Sequence, residues 1–252
     1  MSVDEVFPNP TVKQVLFQIR FPSLFYIETK IGEYQFAIMK SFPKSEVVLQ
    51  RQLVIGDVKQ GEAFDKIPGG DLRKIWKFTS DSGVELEVQS DSLTVRSEHH
   101  SSYASGVSEN EFRGVISFAV DKFLDVTPVP VLSRIGLRYI DHCPVASMSN
   151  RSFRRLYNSC LPTGRFPLER TTEAAVSIVV DLKDGYGLIY KEHLAAGTPK
   201  LVVDIDAYHG PLSNPRDYLS IADELHTITS REFWLTAREP LKNYMRKATR
   251  GA

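Results

Sequence analysis

Apolar and polar residues alternate one by one through five stretches of this chain, and a period of two marks a strand with one buried face. In "VKQVLFQIRF", Val15, Phe17, Ile19 and Phe21 fall on one side and Leu16, Gln18 and Arg20 on the other. "VELEVQ" sets Val84, Leu86 and Val88 against Glu85, Glu87 and Gln89, and "SLTVRS" resumes with Leu93 and Val95. "RIGLRYI" sets Ile135, Leu137 and Tyr139 against Arg134, Gly136 and Arg138, and "KLVVDIDAYH" sets Val203 and Ile205 against Asp204 and Asp206. Strands with one apolar face belong to antiparallel sheet covered on one side.

Helical spacing fills the intervals. "ETKIGEYQFAIMKSF" places Ile31, Tyr34, Ile38 and Phe42 on one face, with Pro43 as a stop. Ser108, with Glu111 three residues on, has the form of a capping box. The apolar stripe behind it, Phe112, Val115, Ile116, Ala119, Val120 and Phe123, is wide enough to lie on a sheet. "TPVPV", Thr127 to Val131, is a stiff connector. After it come a strand, the helical "NRSFRRLYNS", the strands "AAVSIVVDL" and "GYGLIYKE" around an Asp184-Gly185 turn, and "KLVVDIDAYH". A last helical stretch starts near Asn214-Pro215 and breaks at Pro240.

The order strand, helix, three strands, helix therefore occurs twice. This predicts an α+β fold of two tandem β-α-β-β-β-α units, about 11–126 and 131–240, forming antiparallel sheets with helices on one face and able to join edge to edge. Residues 1–252 form a single module with a basic tail at 241–252. Laying "FQIRF" over "IGLRY" matches Arg20 with Arg138, an offset of 138 − 20 = 118 residues, a little under half the chain.

Lys and Arg number 31 and Asp and Glu number 31, so the formal charge is zero, which weighs against a chain whose main task is coating nucleic acid or an anionic membrane. Cys143 and Cys160 are too few for a disulfide framework and lack metal-ligand spacing. "MSVDEVFPNP" does not have the form of a signal peptide, and no window reaches the ~18 consecutive apolar residues that a membrane span needs. A reducing cytoplasm is the expected setting, with no membrane partner.

Two arginines at alternate positions of "RIGLRYI" carry the candidate chemistry. Arg134 and Arg138 share the polar strand face with Arg20 of the first half, and Asp204 and Asp206 share the corresponding face of their own strand. Two readings are open. In one, cross-strand Arg–carboxylate pairs make a mixed-charge, solvated sheet face. In the other, Gly136 leaves a hollow flanked by guanidinium forks able to grip a carboxylate or phosphate. Asp204 and Asp206, with Asp181 as a third ligand, are also the type of carboxylate group that meets Mg²⁺ in phosphoryl transfer.

The histidines are weaker signals. His99-His100 lie in a polar loop, His193 has no companion at ligand spacing, His209 reads as a turn residue, and His226 on the last helix is explained by a helix–sheet hydrogen bond. The adjacent His142 and Cys143 point opposite ways on a strand and do not form a catalytic pair. The tail's Lys242, Arg246, Lys247 and Arg250 are able to meet phosphates or an acidic partner, although a solvated terminus is the favoured reading of them.

At "RIGLRYID" the chain resembles an uncharacterised, sporadically distributed prokaryotic protein family. "QIRF" at Gln18 to Phe21, Phe42-Pro43, Trp76 with Phe78, Tyr103 ahead of Phe112, and Leu225-His226 ahead of Phe233 are similar as well. The resemblance runs from about Phe7 to Phe233. Where the family pattern often has Asn after "RYI", this chain has Asp141. The resemblance implies one full-length module in a prokaryotic cytoplasm, and by association a defence or toxin–antitoxin setting. It implies no catalytic residue and no cofactor.

The expected function is a non-enzymatic binding or adaptor module acting with a protein partner. Nucleic-acid binding through the polar sheet face, with Arg20, Arg134 and Arg138 on phosphates, is the first alternative. A metal-dependent phosphoryl-transfer enzyme using Asp204 and Asp206 is the second.

Overall fold

β1 (Val12–Arg20) lies at the middle of a sheet, paired on both edges. The computed structural model describes residues 5–51, 72–100, 102–104, 111–195 and 197–247. Within β1, Val15, Phe17 and Ile19 are fully buried while Leu16 and Gln18 between them are half-buried, as the alternation requires. The chain continues through α1 (Ile27–Ile38), β2 (Lys44–Arg51), β3 (Leu72–Thr79), β4 (Glu85–Gln89), β5 (Ser92–Ser97) and α2 (Phe112–Val126). Then follow β6 (Arg134–Pro144), α3 (Asn150–Leu156), β7 (Glu173–Asp181), β8 (Tyr186–Ala195), β9 (Thr198–His209), α4 (Tyr218–Thr236) and α5 (Glu239–Arg246).

Among the described residues nine strands form one antiparallel sheet in the order β2-β3-β4-β5-β1-β6-β9-β8-β7. The α+β class is therefore as expected, but there is one sheet rather than two, and it is larger. The added strand is β2, at an outer edge. Its apolar Val47 and Leu49 stay 55% and 60% exposed, so no core burial accompanies its pattern. The two halves meet where β1 pairs with β6, with Phe17 opposite Leu137 and Ile19 opposite Ile135.

The helices lie on the face that carries these residues. α2 buries Ile116, Ala119, Val120 and Phe123, and α4 buries Ala222 and Leu225 against β6 and β9. Aromatic rings lock the layers together. Phe17 meets Tyr218 at 6.4 Å, Phe21 stacks on Phe123 at 5.4 Å, and Tyr34 stands edge-on to Phe78 and Phe123. Each buried side chain of this size contributes about 1.5–3 kcal/mol by leaving water. One buried cluster runs through both halves of the chain.

α2 begins later than its capping-box signal. Ser108 lies outside the described residues, and the helix opens at Phe112 with Glu111 extended and making no side-chain cap. The Arg113 amide instead donates to the Tyr103 carbonyl at 3.0 Å, so a backbone segment satisfies the helix end. The break at Pro240 is as expected: α4 stops at Thr236, Ala237 is extended, and Pro240 sits in the first turn of α5. No helix among the described residues is long and apolar enough to cross a membrane.

Candidate functional site

Two places bring polar groups together, one on each face of the sheet. On the face that no helix covers among the described residues, β6 carries Arg134, Gly136 and Arg138, β1 carries Gln18 and Arg20, and β9 carries Asp204 and Asp206. All five residues expected to form a site thus share one surface. Arg138 donates from Nε and Nη2 to the two oxygens of Asp204 at 2.6 and 2.7 Å, a parallel two-bond fork. Arg134 donates from Nη2 to both oxygens of Asp206 at 3.0 and 2.9 Å. Arg20 Nε donates to Gln18 Oε1 at 2.7 Å, and Gln18 donates on to Thr94. Among the described residues no carboxylate lies within ion-pair reach of Arg20.

The hollow expected at Gly136 is filled. A Cβ at position 136 would collide with Arg134 Nη1, because that guanidinium lies along the strand over the glycine. From there it reaches Asp206 and sits 5.0 Å from the Tyr208 ring centre, a cation–π arrangement. Tyr208 in turn lies over Gly187. Burial raises the Asp206 carboxyl above its ordinary range despite Arg134, whereas the bonds to Asp204 raise the Arg138 guanidinium. The far wing is charged in the same mixed way. Lys77 meets Glu85 at 2.7 Å, and Arg96 meets both Glu85 and Glu87.

Both aspartates expected as metal ligands are thus paired with arginines. Asp181 sits on β7 opposite Gly187, with β8 between it and the β9 aspartates. Among the described residues no three His, Cys, Asp or Glu side chains are placed to share an ion.

The second place lies under α4, on the covered face, and sequence reasoning missed it. A cavity of about 120 Å³ opens between β6, the N-terminal segment around Phe7 and Thr11, and α4. Asp141 lines it at 3% exposure. Thr11 Oγ1 donates to Asp141 Oδ1 at 2.8 Å, and burial pushes the carboxyl from 3.8 to about 7. Beside it the Tyr139 hydroxyl meets His226 Nδ1 at 3.2 Å, the helix–sheet bond expected for that histidine. Tyr103 stacks on the His226 ring at 4.2 Å and donates to Asp223, which Arg113 grips at 2.7 and 2.9 Å. Four residues singled out with the family resemblance, Tyr103, Tyr139, Asp141 and His226, therefore converge here. The signal for Asp141 was its phase: it continues the inward series Ile135, Leu137, Tyr139, so an acid stands where the strand is buried.

Several of the remaining histidines, cysteines and tail residues have structural places. His100 bonds Ser97 at 2.7 Å, and His193 bonds Glu173 at 2.9 Å. His209 ends β9, paired with Ile135 and Tyr186, and is not a turn residue. Cys143 is fully buried, and burial raises its thiol well above the ordinary range. In the tail Arg246 is paired with Glu5 and Glu239, and Lys242 Nζ lies 4.0 Å from the Trp234 ring centre. Arg250 lies outside the described residues. Neither a protein-family model nor a curated protein matches the chain.

Proposed function

We propose that this chain is a binding module whose helix-free sheet face docks a protein partner. The observation that carries this is the face itself: the strands of both halves contribute to one surface, and its charges are paired in place across strands. Paired charges of both signs suit a protein surface of complementary mixed charge better than a run of phosphates. Arg20, exposed and with no carboxylate among the described residues in ion-pair reach, is placed to answer an acid on the partner.

Two tandem β-α-β-β-β-α units, the first carrying β2 as an extra edge strand, account for this surface. Gln18 and Gly136 face each other across the β1–β6 pair, and they are also 136 − 18 = 118 residues apart, the offset that aligns the halves. Read outward from that pair, the strands run β5, β4, β3 on one side and β9, β8, β7 on the other. A local two-fold through Gln18 and Gly136 would give both wings the same open face. The cytoplasm suits the two free cysteines, and the family resemblance favours a prokaryotic defence-type setting.

A photo-crosslinker placed at Arg20 should capture a specific protein in native cells, and one at exposed Gln35 of α1 should not. Equal capture from both positions, or none from either, sinks this reading. Nucleic-acid binding through the same face is the second reading, favoured by Arg20, Arg134 and Arg138 lying together across β1 and β6. It requires affinity that falls steeply with salt.

A further inference from the structure

We propose that the cavity beneath α4 is a binding site for a small organic ammonium ion, whose charged head pairs with Asp141 while its apolar body fills the aromatic surround. This site lies on the opposite side of the sheet from the docking face and does not depend on it.

Asp141 carries the inference. Its residue is 97% buried on the cavity wall, and Thr11 satisfies only Oδ1. Among the described residues Oδ2 accepts no hydrogen bond, and no lysine or arginine lies within ion-pair distance of the carboxyl. A buried carboxylate without a counter-ion is costly, and ordinary folds pair or bury it neutral. Glu5, also at the cavity, is gripped by Arg246 at 2.7 and 2.9 Å, so among the described residues Asp141 is the lining acid left uncompensated.

The walls narrow the ligand further. Phe7, Tyr139, Phe233 and Trp234 present ring surfaces, whose faces attract a cation and whose bodies pack an apolar group. At about 120 Å³ the space approaches that of an apolar cavity of about 150 Å³ known to hold one benzene ring. An anionic ligand would set two like charges side by side in a dry site. A neutral ligand would leave the carboxylate as it is. An amine of up to about one ring in size meets both demands.

The titratable and charged groups around Asp141 set how binding depends on pH. Among the described residues they include Tyr139 and Cys143 on β6, and Glu5, Tyr103 and His226 on the cavity wall, with Lys242 and Arg246 of α5 beside Glu5. Because burial holds the Asp141 carboxyl near 7, its ionised fraction rises about tenfold between about pH 6 and pH 8. Amine affinity should rise with it.

Calorimetry on the whole chain tests the proposal with methylammonium, isobutylamine and benzylamine, and with benzyl alcohol and benzoate as neutral and anionic controls. At least one amine should bind saturably, about tenfold or more tighter than benzyl alcohol, with benzoate silent. Asp141→Asn should abolish that preference and its pH dependence while leaving weak benzyl alcohol binding, which shows the cavity persists. His226→Gln should keep the dependence. If no amine gives saturable heat up to about 10 mM, if amine and alcohol bind alike, or if Asp141→Asn changes nothing, the site is not one for ammonium ions.

Discussion

Gly136 is required by the side chain of its neighbour. Arg134 lies over the glycine on its way to Asp206, so a methyl group there lifts the guanidinium off both Asp206 and the Tyr208 ring. The obstructing atom is the far end of a flexible side chain, so the chain can adjust. Gly136→Ala should cost about 1–2 kcal/mol, from a part-buried charge-assisted bond and a cation–π contact. In an Arg134→Ala background the same change should cost clearly less, as urea unfolding of the four proteins would read. Equal costs in both backgrounds would mean that the glycine serves the backbone and not the arginine.

Asp141 has the opposite character, since its own burial works against the fold. Its carboxyl is raised from 3.8 to about 7, so the folded state binds that proton more tightly than the unfolded chain does. Its contribution is therefore neutral below about pH 4, turns unfavourable as pH rises from 4 to 7, and is constant above that. Three units correspond to roughly 4 kcal/mol at most. Asp141→Asn should then be more stable than the parent at pH 8 and about equal at pH 4, by denaturant titration at both. A variant less stable at pH 8 would show that the carboxylate has a partner stabilising its charge.

Glu192 shows how an element, rather than a single contact, depends on a carboxylate. It is 1% exposed on the inward face of β8. Its oxygens accept from the amides of Cys160 and Leu161, from the hydroxyl of Ser159 and from Tyr190. The segment after α3 thus folds onto the sheet through one side chain, with the Asn158 amide continuing to Thr236 of α4 at 2.8 Å. Glu192→Ala should cost about 3–5 kcal/mol, because several buried donors lose their acceptor together. Hydrogen exchange should quicken first at Cys160 and Leu161. Unchanged protection there would place the strength of that segment elsewhere.

The same element explains what was legible in the sequence. β1, β4, β6 and β9 were readable because their alternation coincides with burial on one face and partial exposure on the other, and β5 because Leu93 and Val95 alternate with polar residues, although Ser92, Thr94 and Ser97 are buried too. β2 was not, since its apolar Val47, Val48 and Leu49 are consecutive and all exposed, so neither alternation nor burial marks it. Glu192 and Asp141 were not readable as buried acids, because the alternation of "LIYKEHL" and "RYIDHCP" had to be carried past the residues that look like a core. Their donors, Thr11 and residues 159–161, are contributed by segments distant in sequence. The helix-free face was readable residue by residue, whereas the filling of Gly136 by Arg134 depends on a side-chain path that no spacing encodes.

At the scale of the whole molecule the question is whether the strands on either side of the β1–β6 seam behave as one body. The seam between β1 and β6 is a full strand pair in the middle of the sheet, and Phe17, Ile19, Ile135 and Leu137 along it are fully buried. The covering helices also cross it: Tyr218 of α4 packs on Phe17 of β1 and donates to Asp121 of α2, and Arg113 of α2 grips Asp223 of α4. Separating the halves would expose that seam and break those bonds together, so neither half has a sub-state that keeps its own core dry. The chain has two tryptophans, Trp76 on β3 in one half and Trp234 on α4 in the other. Trp76→Phe and Trp234→Phe each leave one fluorescent reporter per half. Once each curve is referred to far-ultraviolet circular dichroism of the same variant, fluorescence and dichroism should move together in urea with a single midpoint, as a cooperative two-state transition requires. If the Trp76 signal is lost at a urea concentration where the Trp234 signal and half the dichroism persist, the seam is a docking contact between two independently stable units and the single core is not the cooperative unit.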